Sequence, residues 1–198
     1  MKQPIVRDVS ALPTYGFGPQ SGPWWGAMAY MALEGMGFAL AIGTYLYLMA
    51  TSAQWPMNPP PSLWAGTAIT ALFVASVLPN HLTNNIAHRH DLSRVRLWLI
   101  AMCVIGMVAL AIRGFEFVYL NTRWDTDSYG SIVWLILGLH TVHLATDLGD
   151  TIVLTVLMFT RHAQPRRFSD VTDNCFYWNF VVLAWLPLYF VLYWIPRL

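Results

Sequence analysis

Charge is what this sequence has least of. Only 11% of its 198 residues are Asp, Glu, Lys or Arg, against roughly 25% in ordinary soluble domains, too few to clothe a water-exposed globule. The 11 basic and 10 acidic side chains nearly cancel, leaving a formal net charge of +1. With no basic excess there is no electrostatic footprint for nucleic acid, and with no acidic block there is no solvated tail. Cysteine is scarce as well. Cys103 and Cys175 are the only two, far apart and without CxxC or other metal-ligand spacing, so both read as packing thiols. The opening stretch, "MKQPIVRDVSALPTYGFGPQSGP", is broken by Pro and Gly where a cleavable secretory signal needs an unbroken apolar core, so no such signal is expected.

What the chain has in abundance is apolar surface, at 57% of residues. Five stretches reach the roughly 20 residues needed to cross a bilayer as helices: about 24–50, 63–87, 95–120, 132–159 and 176–195. Between them, "WPMNPPPS" cannot continue a helix, "HRHDLSR" is polar, and "NTRWDTDSYG" and "RHAQPRRFSDVTD" carry charge and breakers. The expectation is an all-α integral membrane bundle of five helices, a single domain over 1–198. Because the connections are short, sequential helices are expected to be antiparallel neighbours. Lys2, Arg7, Arg89, Arg94, Arg96, Arg161, Arg166 and Arg167 fall on one side of that topology, and Arg123 and Arg197 on the other. The asymmetry predicts a cytoplasmic N-terminus and an outside C-terminus. Trp24, Trp25, Trp64, Trp98, Trp124, Trp178 and Trp194 lie near predicted helix ends, where interfacial rings belong.

Against this apolar background the ionisable residues stand out. An ionised side chain near the bilayer centre costs at least about 2.5–3.5 kcal/mol, so it faces protein, pairs or stays neutral. Glu34 lies ten positions into the first span, and His140 and His143 reach a similar depth in the fourth, so a Glu–His contact is available. The spacing of His140, His143, Asp147 and Asp150 by three, four and three places all four on one helix face. Arg113 and Glu116, one turn apart, suit an internal ion pair. The fourth-helix stripe leaves several readings open: a metal held with Glu34 or Glu116, bis-histidine haem ligation, a proton relay, or a hydrogen-bonded lock between helices. Asp147 and Asp150 with His88, His90 and His162 could collect protons on the cytoplasmic side. Gly35, Ala39 and Gly43 form a strip of small residues for close helix approach, inside the bundle or against a partner. No nucleophile–base pair, phosphate-cradling glycine loop or closed metal site is visible, so neither catalytic nor metal-ligating residues are assigned. An independent proton- or cation-conducting membrane protein is the alternative from another class, though no repeat symmetry favours it.

Four segments in order resemble subunit III of the haem-copper oxidases. "DSYGSIVWLILGLHTVHLATDLG" is similar to the family's Tyr-Gly-Ser followed by a helix with Gly-x-His-x-x-His. "WGAMAYMALEGMGFALAIGTYLYL" is similar to its helix with a buried Glu, at Glu34, and "RGFEF" to the region bearing a second, at Glu116. "FYWNFVVLAWLPLYFVLYW" is similar to the closing helix. Long members have seven helices; this chain corresponds to a five-helix form that starts at the third. It departs from the family pattern at Asn179 and Val182, where His and Asp stand, at Arg113 for Gln, and at Asp147 for Gly. The resemblance implies a subunit without redox centres, packed against catalytic subunit I and next to subunit II among membrane lipids. Haem and copper would reside in those partners, and the chain would stabilise subunit I and support proton uptake during oxygen reduction. A bacterial cytoplasmic membrane is implied, with the mitochondrial inner membrane as alternative. A nitric oxide reductase or quinol oxidase partner stays open.

Overall fold

The computed structural model describes residues 22–160 and 167–198. Lys2, Arg7, Arg161, His162, Arg166 and the opening stretch read for a signal lie outside the described residues. Five helices follow one another: α1 (Gly22–Thr51), α2 (Leu63–His88), α3 (Leu92–Val118), α4 (Ser128–Phe159) and α5 (Arg167–Tyr189). The chain after α5 continues through wider π-type turns at Phe190–Trp194 and a short 3-10 turn at Ile195–Arg197. No strand occurs among the described residues, and all five helices are long and apolar enough to cross a membrane. Even the 23 residues of α5 extend about 35 Å at about 1.5 Å per residue, beyond a hydrocarbon core of about 30 Å.

Polarity is inverted relative to a soluble fold. Leu33, Met36, Leu40, Leu97, Phe115 and Val142 are exposed, whereas Asn80, Arg113, Glu116, His140, His143 and Asp147 are buried. Such an arrangement is stable where the surroundings are lipid, because polar atoms then find partners only inside the bundle.

Two expectations fail. First, α1 is not packed on its sequence neighbour α2; its close contacts are with α4 and α5. The 52–62 connection, with Pro56, Pro59, Pro60 and Pro61, is stiffened by its prolines and has enough residues to cross the end of the bundle. Second, α5 starts at Arg167, nine residues before the expected 176. "RFSDVTDNC" is polar enough to read as a loop, yet Phe168, Val171 and Cys175 are buried, at helical spacing, with the acids on other faces. The earlier start moves Trp178 eleven residues into the helix. It is therefore a core residue, 3% exposed, donating from Nε1 to Ser76 Oγ at 2.9 Å, and not an interfacial ring. Both cysteines are buried free thiols, Cys103 lying 3.3 Å from Thr155 Oγ1.

The end of the bundle holding 52–62, 119–127 and the C-terminus is tied by hydrogen bonds between loops. Ser62 N donates to the Tyr119 carbonyl at 3.1 Å, Arg197 Nη2 to that of Pro61 at 2.5 Å, and Asn58 to Asp127. Asp127 also caps α4, its Oδ1 accepting from Gly130 N at 2.6 Å, which satisfies one of the orphan donors at a helix start. Trp134 Nε1 donates to the Thr122 carbonyl at 2.9 Å and Ser131 Oγ to that of Trp124 at 2.7 Å, so the start of α4 is held against the preceding loop. In that loop the exposed Arg123 guanidinium grips Asp125 with two hydrogen bonds of 3.0 and 2.9 Å, and holds its carboxyl below the usual aspartate range.

Candidate functional site: two polar clusters inside the bundle

The first cluster joins α1, α4 and α5. Glu34 Oε1 lies 2.9 Å from His143 Nδ1, and Oε2 accepts from the Tyr177 hydroxyl at 2.8 Å. The same hydroxyl stands 3.2 Å from His143 Nε2, the two rings being stacked with centroids 5.3 Å apart. Phe38 closes one side of His143 at 5.4 Å and Phe180 another at 5.5 Å. With α1 making no close packing on α2 or α3, this carboxylate is its main polar attachment to the bundle.

The second cluster joins α3, α4 and α5. Arg113 Nη1 donates to Glu116 Oε2 at 2.5 Å, both side chains being at most 1% exposed. Glu116 Oε1 accepts from the Tyr193 hydroxyl. Arg113 lies over the Trp185 ring at 4.0 Å, a cation–π contact worth about 2 kcal/mol when desolvated. Its Nη2 is 3.1 Å from His140 Nδ1, while His140 Nε2 is 3.1 Å from the Val181 carbonyl. A carbonyl can only accept and a guanidinium can only donate. The imidazole therefore carries its proton on Nε2 and takes the Arg113 hydrogen on Nδ1, which fixes a single neutral tautomer. Tyr193 owes its place partly to Gly66 of α2, where any Cβ would stand 2.5 Å from the tyrosine ring.

The expected residues are thus divided. Glu34 meets His143 and not His140; His140 meets Arg113. Asp147 is buried, 1% exposed, but Asp150 is exposed, so the four-residue stripe is not one buried face. The reason is position along the helix. Asp150 points within about 20° of the buried His143, but it lies two turns nearer the end of the bundle, where the helices part. Asp147 and Asp150 instead line a cleft between α1, α4 and α5. Of the small-residue strip, Gly35 faces Phe180 of α5, whose ring would stand 3.8 Å from an added Cβ, while Ala39 and Gly43 are exposed on the outer face of α1. The inward contacts of that helix are made by Phe38, Ala41 and Tyr45. His88 and His90 lie at and just beyond the end of α2, where His90 packs on Phe168 at 4.8 Å.

Sequence reasoning passed over the side chains of α5 and of the turns after it that complete both clusters. Tyr177, Trp185 and Tyr193 read as part of an apolar run, although a buried tyrosine hydroxyl or indole N–H needs a partner. Asn80 is another: its Nδ2 donates to Asn179 Oδ1 at 2.9 Å and to the Cys175 carbonyl at 2.8 Å, joining α2 to α5. Trp185 Nε1 adds a bond to Thr70 Oγ1 at 2.8 Å, and Asn174 Nδ2 one to Thr151 Oγ1 at 3.1 Å. In consequence α5 is hydrogen-bonded to α1, α2 and α4, and the turns that continue it reach α3 through Tyr193.

As to chemistry, neither imidazole offers a free nitrogen. Both nitrogens of His140 and both of His143 are engaged within the bundle, and among the described residues no three His, Cys, Asp or Glu side chains stand together as a metal site. The clusters fasten helices to one another.

A family model described as cytochrome c oxidase subunit III matches residues 63–196. The chain is 25% identical over 174 residues to a probable cytochrome c oxidase subunit 3 of Mycobacterium leprae (strain TN), covering 86% of each protein. It is 24% identical over 175 residues to one from Nocardia farcinica (strain IFM 10152), again with 86% of each covered. To the cytochrome c oxidase subunit 3 of Thermostichus vulcanus it is 23% identical over 176 residues, 87% of each.

Proposed function

The chain belongs to the cytochrome c oxidase subunit III family, and from that premise, which makes it a subunit III of a haem-copper oxidase, we propose that it is the cofactor-free companion of the catalytic subunit. It packs against subunit I, with subunit II in the same assembly, stabilises subunit I and supports proton uptake during oxygen reduction. Haem and copper reside in those partners. The single observation that carries this reading is the mutual satisfaction of Glu34, His143 and Tyr177, and of Arg113, Glu116, His140 and Tyr193. A bundle whose two buried imidazoles and most of whose buried charges are spent on one another is a rigid body suited to bracing a neighbour, and leaves neither His140 nor His143 free to hold a redox centre.

The outward strip at Ala39 and Gly43, which internal packing does not use, offers subunit I a close approach along α1. Arg89, Arg94 and Arg96 cluster at the junction of α2 and α3, which supports a cytoplasmic location for that end and for the N-terminus, and an outside C-terminus. We read the membrane as the bacterial cytoplasmic one, in keeping with relatives that come from bacteria.

A tag on this chain should carry a large haem- and copper-containing polypeptide through purification; elution as a solitary, colourless protein would defeat the reading. Glu34→Ala tests the bracing role separately. It removes the carboxylate that joins α1 to α4 and α5, so the variant should be recovered with clearly less of this chain per haem while the haem content of the catalytic subunit is unchanged. Retention equal to that of the unaltered chain would count against a bracing role for Glu34.

A further inference from the structure

One built feature is used by neither cluster. Between α1, α4 and α5, toward the end where α4 stops and α5 begins, lies a cleft of about 520 Å³ whose lining includes Tyr30, Asp147, Asp150, Asp173, Asn174 and Tyr177. Asp147 sits at its inner wall, 1% exposed, and neither of its carboxylate oxygens has a hydrogen-bond partner among the described residues. A buried carboxylate without a partner is among the most costly arrangements a fold can hold, and it is relieved by a proton or by a bound cation. Asp150 and Asp173 are more exposed than Asp147 and place further negative charge toward the mouth.

The dimensions and the walls select the cation. No three His, Cys, Asp or Glu side chains among the described residues converge as a metal site, so a bare metal ion would lack ligands. The volume falls in the range of small-molecule sites, about 300–1,000 Å³, and part of the wall is hydrocarbon, from Val153 and Leu157. The Tyr30 and Tyr177 rings, with centroids 6.0 Å apart, add aromatic faces of the kind that attract ammonium groups. We propose that this cleft binds a linear alkyl diamine or polyamine, one ammonium at Asp147, another at Asp150 and Asp173, and the methylene chain along the apolar wall. The proposal rests on the cleft alone and does not depend on the oxidase reading.

The test uses the chain purified from membranes with whatever assembly retains it. Its melting temperature is followed against spermidine, 1,4-diaminobutane, n-butylamine and calcium, at ionic strength held constant with sodium chloride. Spermidine and diaminobutane should raise it saturably, and butylamine should do so more weakly. Asp147→Asn should weaken spermidine by at least about tenfold, the scale of losing hydrogen bonds to a charged group. Asp173→Asn, nearer solvent, should weaken it several-fold, and it decides the matter if the Asp147 variant does not accumulate. Absence of a saturable rise, a rise unchanged in the variants, or a response to calcium equal to that for spermidine would each overturn the proposal; the last would signal a metal site or simple screening.

Discussion

Arg113→Leu is expected to lower the stability of the chain by about 3–5 kcal/mol, the scale of removing one partner from a buried ion pair. The loss comes less from the vanished attraction than from what stays behind. Glu116 remains at 1% exposure with only the Tyr193 hydroxyl on its other oxygen, and His140 loses the donor to Nδ1. The double variant Arg113→Leu/Glu116→Leu removes both charges and should recover most of the loss, since apolar side chains of similar volume often replace a buried pair at little cost. Arg113→Lys should fall between the two. An ammonium keeps the charge but cannot reach Glu116 and His140 together while lying flat on Trp185. Thermal denaturation of the purified protein, or the level accumulating in membranes, reads the order. A double variant no more stable than Arg113→Leu would show that the pair acts through something other than mutual neutralisation.

Gly130→Ala should be nearly as damaging, at about 3 kcal/mol, the upper end of ordinary overpacking. A Cβ there would run into the Arg123 carbonyl and come within 2.8 Å of Thr122 Oγ1. Neither obstacle can swing aside cheaply. The backbone of 122–123 is fixed by Trp134 Nε1 on the Thr122 carbonyl, and Gly130 N is held to Asp127. Gly138→Ala, two turns further along α4 with nothing within 4 Å of the new carbon, is the control. It should be neutral or slightly stabilising, because Ala is favoured over Gly in a helix by about 0.5–1 kcal/mol. Equal melting temperatures for the two variants would remove the steric account of the Tyr-Gly-Ser segment, in which Tyr129 is fully buried and Ser131 bonds the Trp124 carbonyl.

These two positions show what was legible in the sequence and what was not. Arg113, Glu116, Glu34 and the histidines announce themselves because charge within an apolar run is costly, so its presence already implies an inward face and a partner. Gly130 and its neighbours were visible only as a motif; the carbonyl that forbids a side chain there belongs to a loop seven residues upstream. The second partners, Tyr177, Tyr193 and Trp185, were hidden because aromatic residues count as apolar in any periodicity while their hydroxyls and N–H groups do the bonding. The start of α5 was hidden for the opposite reason: Asp170 and Asp173 look like a loop until Phe168, Val171 and Cys175 are seen to share the buried face. The position of α1 beside α4 and α5 was not legible at all, since a proline-rich connection fixes how far the chain can travel but not which neighbour it reaches.

A membrane that stores a voltage behaves as a capacitor, and a row of titratable groups through its thickness is an obvious place for it to discharge. Here the row from Asp147 through His143 and His140 to Arg113 and Glu116 is interrupted at His140, whose one hydrogen ends on the Val181 carbonyl, an atom that passes nothing on. Beyond it stands the Arg113 guanidinium, which can only donate and is already paired with Glu116. The same two bonds that hold α3, α4 and α5 together thereby leave no continuous chain of exchangeable hydrogens along this row.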